Sequence, residues 1–481
     1  MKKINKSLLT AAIMLGIAAV PESAKAIPVS GQLNRLVVLA RFKDDPAFQM
    51  SRSDVNEMLN GDSPLSVKSY FNTVSNGKLT VDSKIFPVGN DPLEMTYCYY
   101  CYDSSVAAAY PECKSKEVSR LTDISIGFVI RQICDAVEND VNADDFDLDK
   151  DGFIDDFVII LRGGGRGTEN GIHSSHTGTV SDRFITNNGE ISLGDKRVRN
   201  YTILFERTSL ATQCRYLLSN LGFPWLYLKK TGKERPVGTY DVMDGPELTL
   251  PLIYNRHKYS GGQWIGDIPV ADANTTYTLQ SADKPGINAL RIPAGDNGEY
   301  FMAEYRDASG NYTDESGLLI YRVAPIETGT ANDVPEVYIC RSSEKGLDEA
   351  YFGDKFGRTA FNTGSDPKPV FSNGNTAPVD IHDIVIADGV AKFTTGDVDK
   401  TAVESIGENT ANRIVWDRNS QSIRLYGDWI YAEIFNASGA SMLRIDAPAE
   451  VENIDIHRLP SGIYIITASS LSGTRSIKII K

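Results

Sequence analysis

In the first half of the chain, segments with the hydrophobic pattern of strands alternate with segments that have the pattern of helices. Residues 36–42 and 158–161 are nearly continuous apolar runs, which are typical of buried strands. Residues 66–71 and 124–141 instead place their apolar side chains at helical spacing. This alternation of strands and helices, which continues to about Gly245, predicts a mixed α/β or α+β domain.

From residue 276 the pattern changes to short apolar strands separated by turns. Examples that predict a mostly β module are residues 277–279, 299–304, 317–323 and 390–393. A second β pattern fills residues 413–481, where strand-like alternation at 429–435 and 463–466 is interrupted by turn residues. This last segment is therefore expected to be a small β-sandwich.

These patterns predict the order of the domains. Residues 1–26 have lysines before an apolar run and small residues at the end, as in a signal peptide. The α/β domain is expected at 27–275, the β-rich module at 276–398, a polar linker at 399–412 and the C-terminal sandwich at 413–481. No later apolar stretch approaches the roughly 18 residues of a membrane span, so we expect an exported protein without one.

Composition narrows the possible partners. The chain has 481 residues, with 63 acidic and 49 basic side chains and a formal net charge of −14. Such a chain is too long for one core, which agrees with several domains. Its negative charge disfavours nucleic acids and anionic membranes as partners, and favours cations.

Six cysteines lie in the predicted exported part, at Cys98, Cys101, Cys113, Cys134, Cys214 and Cys340. In an oxidising compartment the group from Cys98 to Cys134 is expected to form disulfides, because no histidine lies near it to complete a metal site. Cys214 falls on the apolar face of a predicted helix and is expected to pack there as a small hydrophobic residue.

An acidic loop, residues 147–155, has the spacing of a calcium site. Asp147, Asp149 and Asp151 occupy positions one, three and five, Gly152 permits the sharp turn at six, and Asp155 is at nine. Position twelve is a valine, which argues against a complete EF-hand. The prediction is a structural calcium loop, and the alternative is a solvated acidic turn.

The five histidines of the chain include one close pair, His173 and His176. They are weak candidates for metal ligands, since nothing near them in the sequence completes a ligand set. Surface histidines in a loop are the favoured interpretation. The glycine-rich segment 163–167 lacks the known phosphate-binding patterns and is expected to be only a loop.

The order of several motifs resembles the immune inhibitor A family of secreted zinc metallopeptidases. The resemblance covers about residues 36–393 and rests on this ordered series: VVLARFKD, SVKSYFNTVSNGKLTV, DLDKDGFIDDFVII, LGFPWLY, YDVMDG, GEYFMAEYRDASG and GLLIYRV. It implies a zincin-like metallopeptidase domain at 27–275, with zinc as the cofactor. The segment LPSGIYII near the end is similar to C-terminal sorting domains of type IX secretion in Bacteroidetes, which implies secretion machinery as a partner and release or attachment at the outer membrane.

In such peptidases one helix carries the motif H-E-x-x-H-x-x-G-x-x-D, whose histidines and aspartate hold zinc. Alignment on Gly222 places Arg215 and Ser219 at the histidine positions, Tyr216 at the general base and Trp225 at the third ligand. A guanidinium repels a metal ion, and an indole offers only a donor. The site is therefore expected to lack zinc, with Arg215 paired to a carboxylate such as that of Glu206.

Two classes of function follow from this resemblance. The favoured one is a catalytically inactive pseudopeptidase, secreted or at the cell surface, which binds protein, peptide or glycan in a cleft lined by Tyr216 and Trp225. The alternative is an active secreted metalloendopeptidase with a relocated metal site that includes His173 and His176. A purely structural role in an assembly is a third possibility.

Overall fold

The computed structural model describes most of the chain after residue 26. The described ranges are 27–42, 45–89, 91–95, 123–162, 175–227, 235–295, 298–324, 334–342, 350–397, 413–417, 422–427, 429–436, 439–448, 451–470 and 473–481. The predicted signal peptide, the linker at 399–412 and the glycine-rich segment 163–167 lie outside them. So do Cys98, Cys101, Cys113 and His173.

The described residues contain six α-helices, and serine caps begin several of them. The helices are α1 (Arg52–Asn60), α2 (Val67–Val74), α3 (Asp123–Val137), α4 (Asp182–Asn188), α5 (Leu210–Asn220) and α6 (Ile253–Tyr259). Ser51, Ser66, Ser181 and Ser209 each accept a hydrogen bond from a backbone amide of the first turn. These bonds satisfy helix amides that have no partner within the helix, so short helices can start at fixed positions. Among the described helices, none is long and apolar enough to cross a membrane.

A mostly parallel sheet forms the centre of the α/β domain. The strands of this part of the chain are β1 (Gly31–Phe42), β2 (Leu79–Phe86), β3 (Leu93–Met95), β4 (Phe157–Leu161), β5 (His176–Thr179), β6 (Ser192–Leu193), β7 (Lys196–Arg197) and β8 (Asn200–Phe205). The order in the sheet is β2–β1–β4–β8–β5, with β3 also paired to β1. Strand β5 is antiparallel to β8, and the other pairs are parallel.

Helices cover both faces of this sheet. Alternate residues of β1 point to opposite faces, as strand geometry requires. Val37 packs in a core with α1, α2 and α5, whereas Val38 packs in a second core with α3 and α4. The prediction of a mixed α/β architecture is therefore confirmed, and the helix-covered faces explain why the strands are continuous apolar runs.

A second, antiparallel sheet is buried beside the α/β domain. Its part of the chain contains β9 (Thr276–Gln280), β10 (Ala289–Pro293), β11 (Tyr300–Arg306), β12 (Gly317–Val323), β13 (Val337–Ile339), β14 (Tyr351–Phe352), β15 (Ile381–Ala387) and β16 (Val390–Thr395). The sheet order is β10–β11–β12–β13, and a separate sheet has the order β15–β16–β9. In β11, Met302 joins the core that contains α5, and Phe301 joins the core of the second sheet. The second sheet thus shares an apolar core with the α/β domain.

The C-terminal segment forms two further sheets that share one core. Its strands are β17 (Arg413–Asp417), β18 (Ser422–Tyr426), β19 (Tyr431–Asn436), β20 (Ser441–Asp446), β21 (Val451–Asp455), β22 (Ile463–Ser470) and β23 (Gly473–Ile480). The orders are β17–β18–β21 and β20–β19–β22–β23. Ile423 and Leu425 of the first sheet pack with Ile434 and Ile466 of the second. The segment is β-rich and two-layered, as the alternating pattern predicts.

The cysteine predictions have different outcomes. Cys134 is a free thiol, so the expectation that it forms a disulfide is wrong. It lies on the buried face of α3 within an apolar core, and burial raises the pKa of its thiol to about 12. Cys214 is fully buried on α5, which confirms its predicted packing role, and Cys340 is likewise a buried free thiol.

Candidate functional site

Helix α5 carries Arg215 and Ser219, two of the residues that the family resemblance predicts at zinc-ligand positions. Its buried face includes Cys214, Leu217 and Leu218, and its other face leaves Arg215 and Ser219 half-buried. The helix ends because Gly222 adopts a φ of +90°, which side chains disfavour, and Phe223 N then donates to Leu218 O at 2.9 Å. The apolar face thus fixes the helix, and the polar face is available for a site.

Arg215 is held by the backbone of a neighbouring turn, residues 240–245. Its Nε donates to Val242 O at 2.5 Å, and its Nη2 donates to Gly245 O. The expected pair with Glu206 is wrong. The Glu206 carboxylate accepts from the amides of Gln49 and Met50 and lies 3.3 Å from the guanidinium of another arginine, Arg162.

Two buried aspartates shape this turn. Asp241 accepts from the amides of Met243 and Leu252, each at 2.9 Å. Asp244 accepts from the amides of Val237 at 2.9 Å and Gly238 at 2.7 Å. They hold the backbone whose carbonyls bind Arg215. The sequence contained a signal for them, since two aspartates three apart before a glycine are typical of a capped turn.

The polar face of α5 borders an aromatic cluster, which consists of Tyr216, Trp225 and Tyr227. The ring centroids of Tyr216 and Trp225 are 5.8 Å apart, and those of Trp225 and Tyr227 are 5.7 Å apart, in edge-to-face geometry. The guanidinium carbon of Arg215 lies 5.7 Å from the Trp225 ring centroid. All three rings are half-buried, so each keeps some surface in contact with solvent.

Tyr216 also connects α5 to the edge of the sheet. Its hydroxyl donates to the carbonyl of Ser175, the residue before β5. Burial raises the pKa of the Tyr216 phenol above its ordinary value, so the hydroxyl stays protonated at neutral pH. Ser219 lies one turn after Arg215, and no described residue forms a hydrogen bond with its side chain.

The end of α5 is tied to the sheet by a partly buried polar network that the sequence did not reveal. Asn220 Nδ2 donates to Asp156 Oδ1 at 2.9 Å, and Thr177 Oγ1 donates to Asn220 Oδ1 at 2.7 Å. The other oxygen of Asp156 accepts from Arg35 Nε at 2.5 Å. Because Asp156 directly follows the acidic loop, this network links that loop to the helix.

The acidic loop brings together three of its four predicted calcium ligands. Carboxylate oxygens of Asp147, Asp149 and Asp151 lie within 4.8 Å of one another. The Asp147 carboxylate also accepts from the amides of Asp151 at 3.0 Å and Gly152 at 3.1 Å. These bonds turn the chain so that alternate side chains point to the same place.

Asp155 is not a member of this close group and instead binds the backbone of the loop. Its buried carboxylate accepts from the Leu148 amide at 2.6 Å, and burial raises its pKa to about 7. The ammonium of Lys196 lies 3.2 Å from the Asp147 carboxylate and 2.8 Å from that of Asp144. The cationic side chain of Lys196 thus lies at the border of the loop.

The histidine pair is only partly described. The backbone of His176 lies in β5 opposite Ile203 of β8. This places the second histidine of the pair at the sheet edge next to Ser175, whose carbonyl accepts from Tyr216. The role of the pair as metal ligands stays a prediction.

Comparisons with known proteins do not identify the function of the site. No protein-family model matches this chain, and no curated protein matches its sequence. The family that its motifs resemble therefore stays a prediction, and the function is inferred from contacts and charges.

Asp241 is expected to give the stability a measurable pH dependence. Burial raises its pKa from 3.8 to about 6. Between these values the folded protein holds a proton that the unfolded chain has lost, so this contribution to stability is present below the unfolded pKa and is lost as pH rises through about 6. Asp241→Asn is expected to flatten this part of the profile, measured by urea unfolding across pH.

The control for this experiment is Asp314→Asn, since Asp314 is exposed. Its profile should have the same shape as that of the unmodified protein. Identical profiles for Asp241→Asn and the unmodified protein would contradict the assignment.

Proposed function

We propose that this chain is a secreted or cell-surface protein of the immune inhibitor A-like, zincin-like metallopeptidase fold that binds protein, peptide or glycan at α5 without hydrolysing it. One observation carries the proposal. The family resemblance aligns Arg215 with the first zinc ligand, and two backbone carbonyls hold its guanidinium. A fixed positive charge at this place opposes a divalent cation.

The chemistry of the remaining side chains also does not fit zinc. Zinc needs lone pairs from thiolate, imidazole or carboxylate groups. Arg215 and Trp225 have no acceptor atom, and Ser219 offers only a neutral hydroxyl. Tyr216 replaces the carboxylate that would take a proton from water, and its buried phenol has a raised pKa. No hydrolytic step is therefore assigned to these residues.

Binding is supported by the aromatic cluster and by the edge of the sheet. Half-exposed tyrosine and tryptophan rings provide rigid contact area with a polar end. Among the described strands, β5 pairs only with β8, so its outer edge is a place where an extended peptide could add a strand. Tyr216, which bonds to Ser175, places the aromatic cluster beside that edge.

Calcium is the proposed cofactor of the acidic loop, and its role is structural. Asp147, Asp149 and Asp151 present hard oxygen ligands at close range, which is the donor set that calcium prefers. When bound, calcium would screen the repulsion between these carboxylates and fix the start of β4. The alternative is a solvated turn that is held by Lys196 and backbone amides.

The C-terminal sandwich is proposed to be a sorting domain that the type IX secretion machinery recognises. The support is the motif LPSGIYII together with the compact two-sheet unit formed by residues 413–481. This proposal places the mature protein outside the cell or at the outer-membrane surface.

Metal analysis and a cleavage assay on the same preparation test the proposed function. We expect the purified mature chain to contain no stoichiometric zinc and to leave casein uncleaved with or without a chelator. Peptide binding is measured by fluorescence anisotropy with labelled casein fragments. It should persist after a chelator has removed zinc, provided that calcium is supplied.

Stoichiometric zinc with chelator-sensitive cleavage would overturn the proposal. In that case the double variant His173→Ala and His176→Ala decides whether the relocated metal site exists. Loss of zinc in this variant would establish the active metalloendopeptidase instead.

A further inference from the structure

Three arginines converge on the segment that holds α5 in place. Arg235 Nη1 donates to Asp244 O, and Arg341 Nη2 donates to Arg235 O at 2.8 Å. Arg215 donates to the carbonyls of Val242 and Gly245 in the same turn. We call Arg215, Arg235 and Arg341 the arginine site.

The arginine site has more donors than the described residues can satisfy. Arg341 Nε and Nη1 are buried and have no hydrogen-bond partner among those residues. Leaving such a donor unsatisfied is unfavourable, most of all where the group is charged. The hydrogen bonds of Arg235 and Arg215 engage only part of each guanidinium, so further N–H groups are available within the described part of the chain.

Nearby carboxylates do not accept hydrogen bonds from these arginine N–H groups. Asp244 Oδ2 accepts from backbone amides, and its Oδ1 lies 3.6 Å from Arg235 Nη1, which is too far for a hydrogen bond. The Asp241 carboxylate likewise accepts from backbone amides. Glu247 is exposed to solvent and close to Gly245, where a surface carboxylate is strongly screened.

From these contacts we infer that the arginine site recognises carboxylates of an acidic peptide, an inference that rests on the proposed binding function of α5. Guanidinium groups match carboxylate oxygens in charge and geometry. Arg215 connects the arginine site to the aromatic cluster, since it lies over Trp225. An extended peptide along β5 would pass the rings of this cluster and place acidic side chains near the arginines.

Three probes test this inference by fluorescence anisotropy on the full mature protein. The first is a short labelled peptide in which Glu alternates with Thr, and the second is the same peptide with Gln in place of Glu. The third is an oligosaccharide of uronic acids, which presents carboxylates without a peptide backbone. We expect the Glu peptide to bind about tenfold or more tightly than the other two probes, because hydrogen bonds to charged groups are stronger than those to neutral groups.

Arg235→Gln is the main variant, since the Arg235 side chain is 47% exposed and the fold should tolerate its loss. It should reduce affinity for the Glu peptide about tenfold and leave the Gln peptide nearly unaffected. Arg341→Lys keeps the charge but changes the donor geometry, and it should also reduce the affinity for the Glu peptide. Arg444→Gln is the matched control, because Arg444 lies on β20 and is paired with Asp446 at 2.9 Å.

The outcomes separate this inference from the proposed function. Equal binding of the Glu and Gln peptides, or no effect of Arg235→Gln, would overturn the acidic preference and leave peptide binding intact. Preferential binding of the oligosaccharide would overturn the peptide assignment. If no probe binds, both the inference and the proposed function at α5 fail.

Discussion

Asp156→Ala is expected to lower the free energy of unfolding of the α/β domain by about 3 to 5 kcal/mol. Asp156 Oδ2 lies 2.5 Å from Arg35 Nε, and each side chain is only 1% exposed. Removing the carboxylate leaves the Arg35 charge buried without compensation, and Nη1 of Arg35 already lacks a hydrogen-bond partner among the described residues. Asn220 at the end of α5 also loses an acceptor.

Urea unfolding followed by tryptophan fluorescence measures this effect, since Trp225 and Trp264 both belong to the α/β part of the fold. The matched control is Asp82→Ala, because Asp82 pairs with Lys84 at 2.5 Å but its side chain is 36% exposed. Surface pairs contribute about 0 to 1 kcal/mol, so the control should change stability little. Similar losses in the two variants would show that burial does not set the strength of the Arg35–Asp156 pair.

A double variant, Arg35→Met with Asp156→Leu, examines the cause of the loss. If the uncompensated charge is the main cost, this variant should recover part of the stability that Asp156→Ala loses. The Asn220 hydrogen bond would still be missing, so full recovery is not expected.

Calcium is expected to stabilise the metal-free protein by about 2.7 kcal/mol when its free concentration is about 100 times the dissociation constant. The reason is that the folded loop brings Asp147, Asp149 and Asp151 together, whereas the unfolded chain does not. Calorimetric titration gives the dissociation constant for calcium. Urea unfolding with and without calcium gives the change in the free energy of unfolding. Asp149→Ala should abolish most of this stabilisation by calcium, since Asp149 is a half-buried member of the carboxylate group.

Asp145→Ala is the matched control for the calcium experiment. Asp145 is exposed in the turn just before the loop and is not a member of the close carboxylate group. Its loss should leave the calcium response unchanged. An unmodified protein that shows no calcium-dependent shift would identify the loop as a solvated turn.

The strands and helices of the α/β domain could be predicted because their signals are local. Residues 158–161 form a continuous apolar run, and the strand β4 that contains them is buried on both faces. Similarly, the apolar spacing of α2 and α5 directly reflects the faces that they bury. The predicted helix at 124–141 ends earlier, at Val137, because the following polar residues form a turn outside the core.

The partners of polar side chains could not be predicted in the same way. Arg215 was expected to pair with a carboxylate, for which Glu206 was one candidate. In the fold, the 240–245 turn approaches the polar face of α5 and binds Arg215, while Glu206 is engaged by amides of residues 49 and 50. Such contacts join residues that are far apart in the chain, so only the packed fold determines which acceptor is nearest.

By itself, the sequence determined the apolar faces, the helix caps and the spacing of the acidic loop. These features depend on residue type and on separations of a few residues, which a chain carries before it folds. Only the tertiary structure decided that Asp156 pairs with Arg35, that Cys134 stays a free thiol and that three arginines meet at the turn beside α5. Those outcomes depend on which surfaces pack together, because desolvation and hydrogen bonding act on neighbours in space and not on neighbours in sequence.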